Sequence, residues 1–151
     1  MRLRRLAPLA ALAVCLTGCG GVDTGVQVEG KAVTEVPWTG PVYMTDFYGR
    51  SWRRPKEVSP TGRISLDKLT WRDWGKSRAR ATGEATDLTC LSGCPDGVDD
   101  PPSLRVEVVL SGLVRRGDVS YYSNVAITPV RPPAPFWMTG YESTELDVPD
   151  A

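Results

Sequence analysis

Apolar side chains in the middle of this chain recur at every second position, the period of strands and not of helices. Leu104, Val106, Val108 and Leu110 alternate with Arg105, Glu107, Val109 and Ser111. Beyond a turn at Arg116-Gly117-Asp118, the alternation resumes at Tyr121, Ser123, Val125 and Ile127. These two runs predict a hairpin. Upstream, Ala79, Ala81, Gly83 and Ala85 set a face of small residues opposite Arg80, Thr82, Glu84 and Thr86. So small a face leaves room for a bulky neighbour, and Trp71 or Trp74 is predicted to lie over it. Ile64 and Leu66, then Leu69 and Trp71, predict a further hairpin turning at Asp67-Lys68, with a short helix over 66–74 as the alternative. With 15 glycines and 13 prolines spread along the chain, the pattern predicts an all-β fold: a single antiparallel sandwich or partly closed barrel.

Aromatic residues set the limits of that unit. All 12 lie between Trp38 and Tyr141, so residues 38–141 are expected to form one β-rich domain. Residues 142–151 hold four acids and no base and are expected to be a frayed acidic tail. The N-terminus has a different character. Arg2, Arg4 and Arg5 precede an apolar run from Leu6 to Leu16. As a helix that run is ~17 Å long, too short for a hydrocarbon core of roughly 30 Å, so residues 1–18 read as a signal peptide and not as a membrane span. Arg4-Arg5 also suggests twin-arginine export, but Ala7 and Pro8 occupy the hydrophobic positions that should follow.

Leu16-Thr17-Gly18-Cys19 resembles the lipobox of bacterial lipoproteins: a branched apolar residue, two small ones, then cysteine. The resemblance implies that Cys19 receives a diacylglyceryl thioether and becomes the first residue after cleavage, with palmitate-type chains anchoring the protein to the outer face of the cytoplasmic membrane. Two acyl chains suffice for stable anchoring, at about 0.8 kcal/mol per buried methylene. The competing reading is an ordinary secretory signal that happens to end in cysteine. Residues 19–37 then read as a lipidated tether, rich in glycine and without aromatics.

Processing changes the charge balance. The full chain has 18 basic and 18 acidic residues. Removing Arg2, Arg4 and Arg5 leaves 15 against 18, or −3, and a nucleic-acid partner is not expected. The chain has no histidine, which excludes Ser-His-Asp and Cys-His nucleophiles and any imidazole ligand or neutral-pH titration. Of the four cysteines, Cys15 leaves with the signal and Cys19 is the lipid site. Cys90 and Cys94 are expected to pair as a disulfide pinning the irregular stretch 88–102. Redox catalysis would favour Cys-x-x-Cys beside a βαβ unit, and zinc would need two further soft ligands. Asp96, Asp99 and Asp100 do not match a calcium-loop spacing and read as solvated turn acids. No metal or cofactor is expected.

A second resemblance rests on Leu69-Thr70-Trp71-Arg72-Asp73-Trp74-Gly75, the small-residue strand through Gly83, the Cys90 and Cys94 pair, and Tyr121-Tyr122. Over residues 55–128 the chain resembles small secreted actinobacterial proteins with a Trp-x-x-Trp-Gly turn, an Ala/Gly-rich strand, a cysteine pair and a closing hairpin. That implies a β-rich secreted domain and implies no activity.

Charge is uneven within the domain. From Arg50 to Arg80 ten bases face Glu57, Asp67 and Asp73, a local +7, whereas 81–118 holds seven acids and three bases. Aromatics are interleaved with the basic stretch. Arg50, Trp52, Arg53, Arg54, Trp71, Arg72 and Trp74 are therefore the candidate binding surface, for an anionic envelope polymer, lipid headgroups or another envelope protein. The plainer alternative is that these bases pair with acids across the sheet. Pro132, Pro133 and Pro135 precede Phe136 and Trp137, a segment expected to run back over the domain and bury both aromatics, with a polyproline docking motif as the alternative. The reading is a lipid-anchored envelope protein that binds or scaffolds without catalysis. The alternative is an extracytoplasmic hydrolase working with two carboxylates, although no acid pair is marked by its context.

Overall fold

The structure, a computed structural model, describes residues 38–90 and 100–150. The expected signal peptide, the tether with Cys19, and Cys94 lie outside the described residues. All described residues belong to the compact unit Val33–Ala151.

The fold is all-β. Its strands are β1 (Val42–Thr45), β2 (Ser51–Trp52), β3 (Val58–Thr61), β4 (Ile64–Arg72), β5 (Arg78–Asp87), β6 (Ser103–Arg116), β7 (Val119–Pro129) and β8 (Thr144–Glu145). They form one sheet in the order β2-β1-β7-β6-β5-β4-β3, with β8 also on β7. Every pairing is antiparallel except β1 with β7. The sheet curls without closing. Among the described residues the backbone bond joining its two ends runs from the Phe47 N–H to the Ser59 C=O, 2.9 Å, between the segment after β1 and strand β3.

The predicted hairpin is β6–β7, turning at Gly117-Asp118 with Gly117 at φ +57°. Val106, Val108 and Leu110 are buried, as are Val125 and Ile127 opposite them. Nearer the turn the buried positions change parity, so Tyr122 enters the core and Tyr121 does not. The change falls at Gly112, whose φ is +71° and whose C=O accepts the Ser123 Oγ hydrogen bond at 2.8 Å.

A second parity change corrects the hairpin expected at Asp67-Lys68. Strand β4 runs straight through these residues, and its register against β5 slips by one residue between Asp67 and Thr70. Lys68 sits at φ +55° in this bulge. The extra residue turns Leu69 inward after Ile64 and Leu66, where a turn had been inferred. Gly83 lies opposite. A Cβ there would fall 2.6 Å from the Asp67 carbonyl oxygen and 2.8 Å from Leu69 Cδ2, so the bulge requires glycine.

The small-residue face is packed as expected. Ala79, Ala81 and Ala85 are fully buried, Trp71 is paired directly opposite Ala81, and Trp74 packs on the same core. The C-terminal segment is not frayed through residue 150. Strand β8 pairs with β7, Leu146 is buried, and Arg116 Nε donates to the Pro149 carbonyl at 3.0 Å. With β1, this segment covers the β7 edge that β6 leaves open: Ile127 N–H bonds to Tyr141 C=O and Leu146 N–H to Ser123 C=O.

Candidate functional site

The loop between β1 and β2 is organised by a side chain that the sequence reading missed. Asp46 follows β1 and is 4% exposed. Its Oδ1 accepts the backbone N–H groups of Tyr48 and Arg50, both at 2.9 Å. Its Oδ2 accepts Trp52 Nε1 at 2.8 Å and Arg50 Nε at 3.0 Å. Burial by itself raises the Asp46 carboxyl pKa. The donors from Trp52, Arg50 and Tyr48 outweigh it and hold the group below the ordinary carboxylate value. Each oxygen thus has two donors, which leaves Asp46 a brace and not a base. The signal was present as Asp46-Phe47-Tyr48-Gly49, an acceptor followed three residues on by a glycine at φ +77°, and the Gly49 N–H closes the turn on the Asp46 C=O at 3.0 Å.

The brace displays aromatics around one cation. Phe47 is 60% exposed, Tyr48 70% and Trp52 38%. The Arg50 guanidinium lies 5.3 Å from the Tyr48 ring centre and 5.5 Å from that of Trp52. Only its Nε is used inside the loop, and the terminal nitrogens have no protein partner among the described residues. Beside them is a hollow of about 400 Å³ that includes Lys56 and Glu57. A planar guanidinium fixed in this way offers two parallel donors to an oxyanion between aromatic walls.

The seven candidate surface residues do not form one stripe. Arg50 and Trp52 share the braced loop. Arg53 and Arg54 are exposed and line a different hollow, of about 280 Å³, with Trp38, Trp74 and Lys76. Trp71 and Trp74 are half-buried packing residues: Trp71 Nε1 donates to the Pro55 carbonyl at 2.7 Å, Trp74 Nε1 to that of Val42 at 3.1 Å, and the rings meet edge to face at 4.9 Å. Trp74 also meets Tyr122 edge to face at 5.5 Å. Arg72 is exposed at the end of β4, paired in register with Arg80. Cross-strand pairing accounts for other bases, through Lys68–Glu84 at 2.8 Å and Arg80–Glu107 at 3.5 Å.

No family model, curated protein or solved structure matches this chain.

One further residue behaves differently from expectation. Phe136 is 94% exposed, while its neighbours Trp137 and Met138 pack on the core, so the proline-rich segment buries only part of its apolar end. Cys90 ends the 3-10 turn Leu88–Cys90 and is not a free thiol. Its expected partner Cys94 lies outside the described residues. Among the described residues no cluster of three or more acids or cysteines is placed to hold a metal ion.

Proposed function

We propose that this protein is a lipid-anchored component of the cell envelope, held through Cys19 on the outer face of the cytoplasmic membrane. There it binds an anionic envelope polymer without catalysing a reaction. The observation that carries the binding role is the Asp46-braced loop, in which Arg50 is clamped between two exposed rings with its terminal donors free. Clamping removes side-chain entropy before a ligand arrives, so less is lost on binding. Lys56 beside the same hollow adds charge for successive phosphate or carboxylate groups. A Cys90–Cys94 disulfide belongs to the same reading, because an extracytoplasmic compartment keeps such a pair oxidised.

Retention of the purified chain on immobilised poly(glycerol phosphate), followed across salt concentration, tests the binding role. Retention that falls as salt rises is expected. Arg50→Lys should weaken it even though charge is conserved, because an ammonium lacks the planar fork. Salt-independent behaviour, or an Arg50→Lys protein indistinguishable from the parent, ends this reading. The mass of the chain recovered from membranes tests the anchor separately, an unmodified Cys19 being the contrary result.

A further inference from the structure

The other end of β1 carries a second charged surface, distinct from the braced loop. Trp38 precedes β1 there, beside the β4–β5 turn and the β6–β7 turn. Between these elements lies an open cleft of about 730 Å³. Lys76, Arg78 and Arg115 line it, with Ser111, Ser120 and the Trp38 ring, and no carboxylate does. The hollow holding Arg53 and Arg54 adjoins it through Trp38, Gly75 and Lys76. Arg115 lies 4.9 Å over the Trp38 ring and donates through Nε to the Gly117 carbonyl at 2.9 Å, which holds its charge at the rim. Nearby acids are few. Asp73 is joined to Lys76 at 2.6 Å, Asp118 lies in the β6–β7 turn, and Asp150 follows the Pro149 that Arg116 contacts. Arg78 has no acidic partner among the described residues.

We infer that this basic end is the face the domain lays on the membrane, with anionic phospholipid headgroups as its occupant. The inference rests on the anchored reading above, and the position of the chain decides between lipid and other anions. Residues 19–37 connect Cys19 to Trp38, and even fully extended they reach no more than roughly 65 Å. Trp38 is the first described residue beyond that connection, so the cations around it are those nearest the anchor along the chain. Basic residues there gain from the negative surface potential, while Trp38 has the amphipathic ring that suits a headgroup layer. The Arg50 loop lies at the far end of β1 and is thereby held toward the envelope polymer.

Hydrogen exchange on the full chain, in the processed form the cell makes, tests this in vesicles of phosphatidylglycerol and of phosphatidylcholine. Protection of residues 75–78 and 111–118 is expected with phosphatidylglycerol only, and is expected to disappear at high salt. Arg78→Glu combined with Arg115→Glu, both at exposed positions, should weaken phosphatidylglycerol binding by at least about tenfold. Arg131→Glu, also exposed, should leave it nearly unchanged. Equal protection in both lipids, protection centred on 46–52, or unchanged phosphatidylglycerol binding by the Arg78→Glu/Arg115→Glu protein overturns the inference. The mass of the same preparation reports acylation independently, so failure of the anchor and failure of this surface give different results.

Discussion

Asp46 has four donors on two oxygens, and replacing one oxygen with an amide separates its contributions. Asp46→Asn retains an acceptor for the Tyr48 and Arg50 N–H groups but turns an NH2 toward Arg50 Nε and Trp52 Nε1. A hydrogen bond to a charged group contributes about 1.5–3 kcal/mol, and urea unfolding at neutral pH should show a loss of that order. The lowered carboxyl pKa gives this a pH signature. Its stabilisation is present above the unfolded value, near 3.8, and is lost as pH falls through the lower folded value. The gap between parent and Asp46→Asn should therefore narrow below about pH 3.8. Tyr122 has the opposite sign. Burial raises its phenol pKa, the Gly75 N–H it accepts only partly offsetting this, and its OH donates to the Lys76 carbonyl at 2.8 Å. Tyr122→Phe leaves both backbone groups without that partner, at about 1–3 kcal/mol. It should also remove a loss of stability that the parent shows as pH rises above about 10 through the raised value.

At the scale of elements, the alternation identified the strands but not what happens where it breaks. Ile64, Leu66, Leu69 and Trp71 change parity once, and a turn and a one-residue bulge produce the same change in a list of apolar positions. Length and partner decide between them: β5 is long enough to pair with both halves of β4, and only the paired strand shows that Gly83 has made space for the extra residue. Tyr121 fell into the alternation with Val125 and Ile127 for the same reason, whereas one glycine at positive φ turns the β6–β7 hairpin over and buries Tyr122 instead. Both glycines are thus testable. Gly83→Ala should lower stability by about 1–3 kcal/mol, the range for overpacking a close contact, since one obstacle is backbone and cannot rotate away. Gly112→Ala should cost a similar amount, because its Cβ would meet Ser123 Oγ from a backbone conformation that alanine disfavours. Thermal or urea unfolding reads both. Exposed side chains were legible from composition only in part. Arg50 and Trp52 were identifiable as a charged and aromatic pair, whereas the brace beneath them was concealed because a buried aspartate and a solvated one look alike in sequence.

For the whole molecule, the strand pairings imply unequal stability across one continuous sheet. Strands β4 to β7 pair along nearly their full lengths, with β5 and β6 in unbroken register from Arg78–Ser111 to Thr86–Ser103. By contrast β1 meets β7 only at Val42–Ser120 and Tyr43–Tyr121, and β3 meets β4 at Val58–Leu66 and Thr61–Ile64. The sheet's two ends are joined by the Phe47–Ser59 backbone bond and by the burial of Met44 and Val58 in one core. Opening this seam separates few hydrogen bonds, whereas opening β5–β6 disrupts the centre of the core. Native-state hydrogen exchange should therefore show the Phe47 amide exchanging through a local opening of lower free energy than the amides of Val106 and Val108. If Phe47 and the β6 amides instead report one common opening energy, the seam is as strong as the central sheet and the sheet opens only as a unit. Because Asp46 adjoins the seam, an anionic polymer seated on Arg50 and Lys56 would span it from β2 to the segment before β3. Binding should consequently slow exchange at Phe47 more than at Val108, which ties the mobility of the seam to occupation of the braced loop.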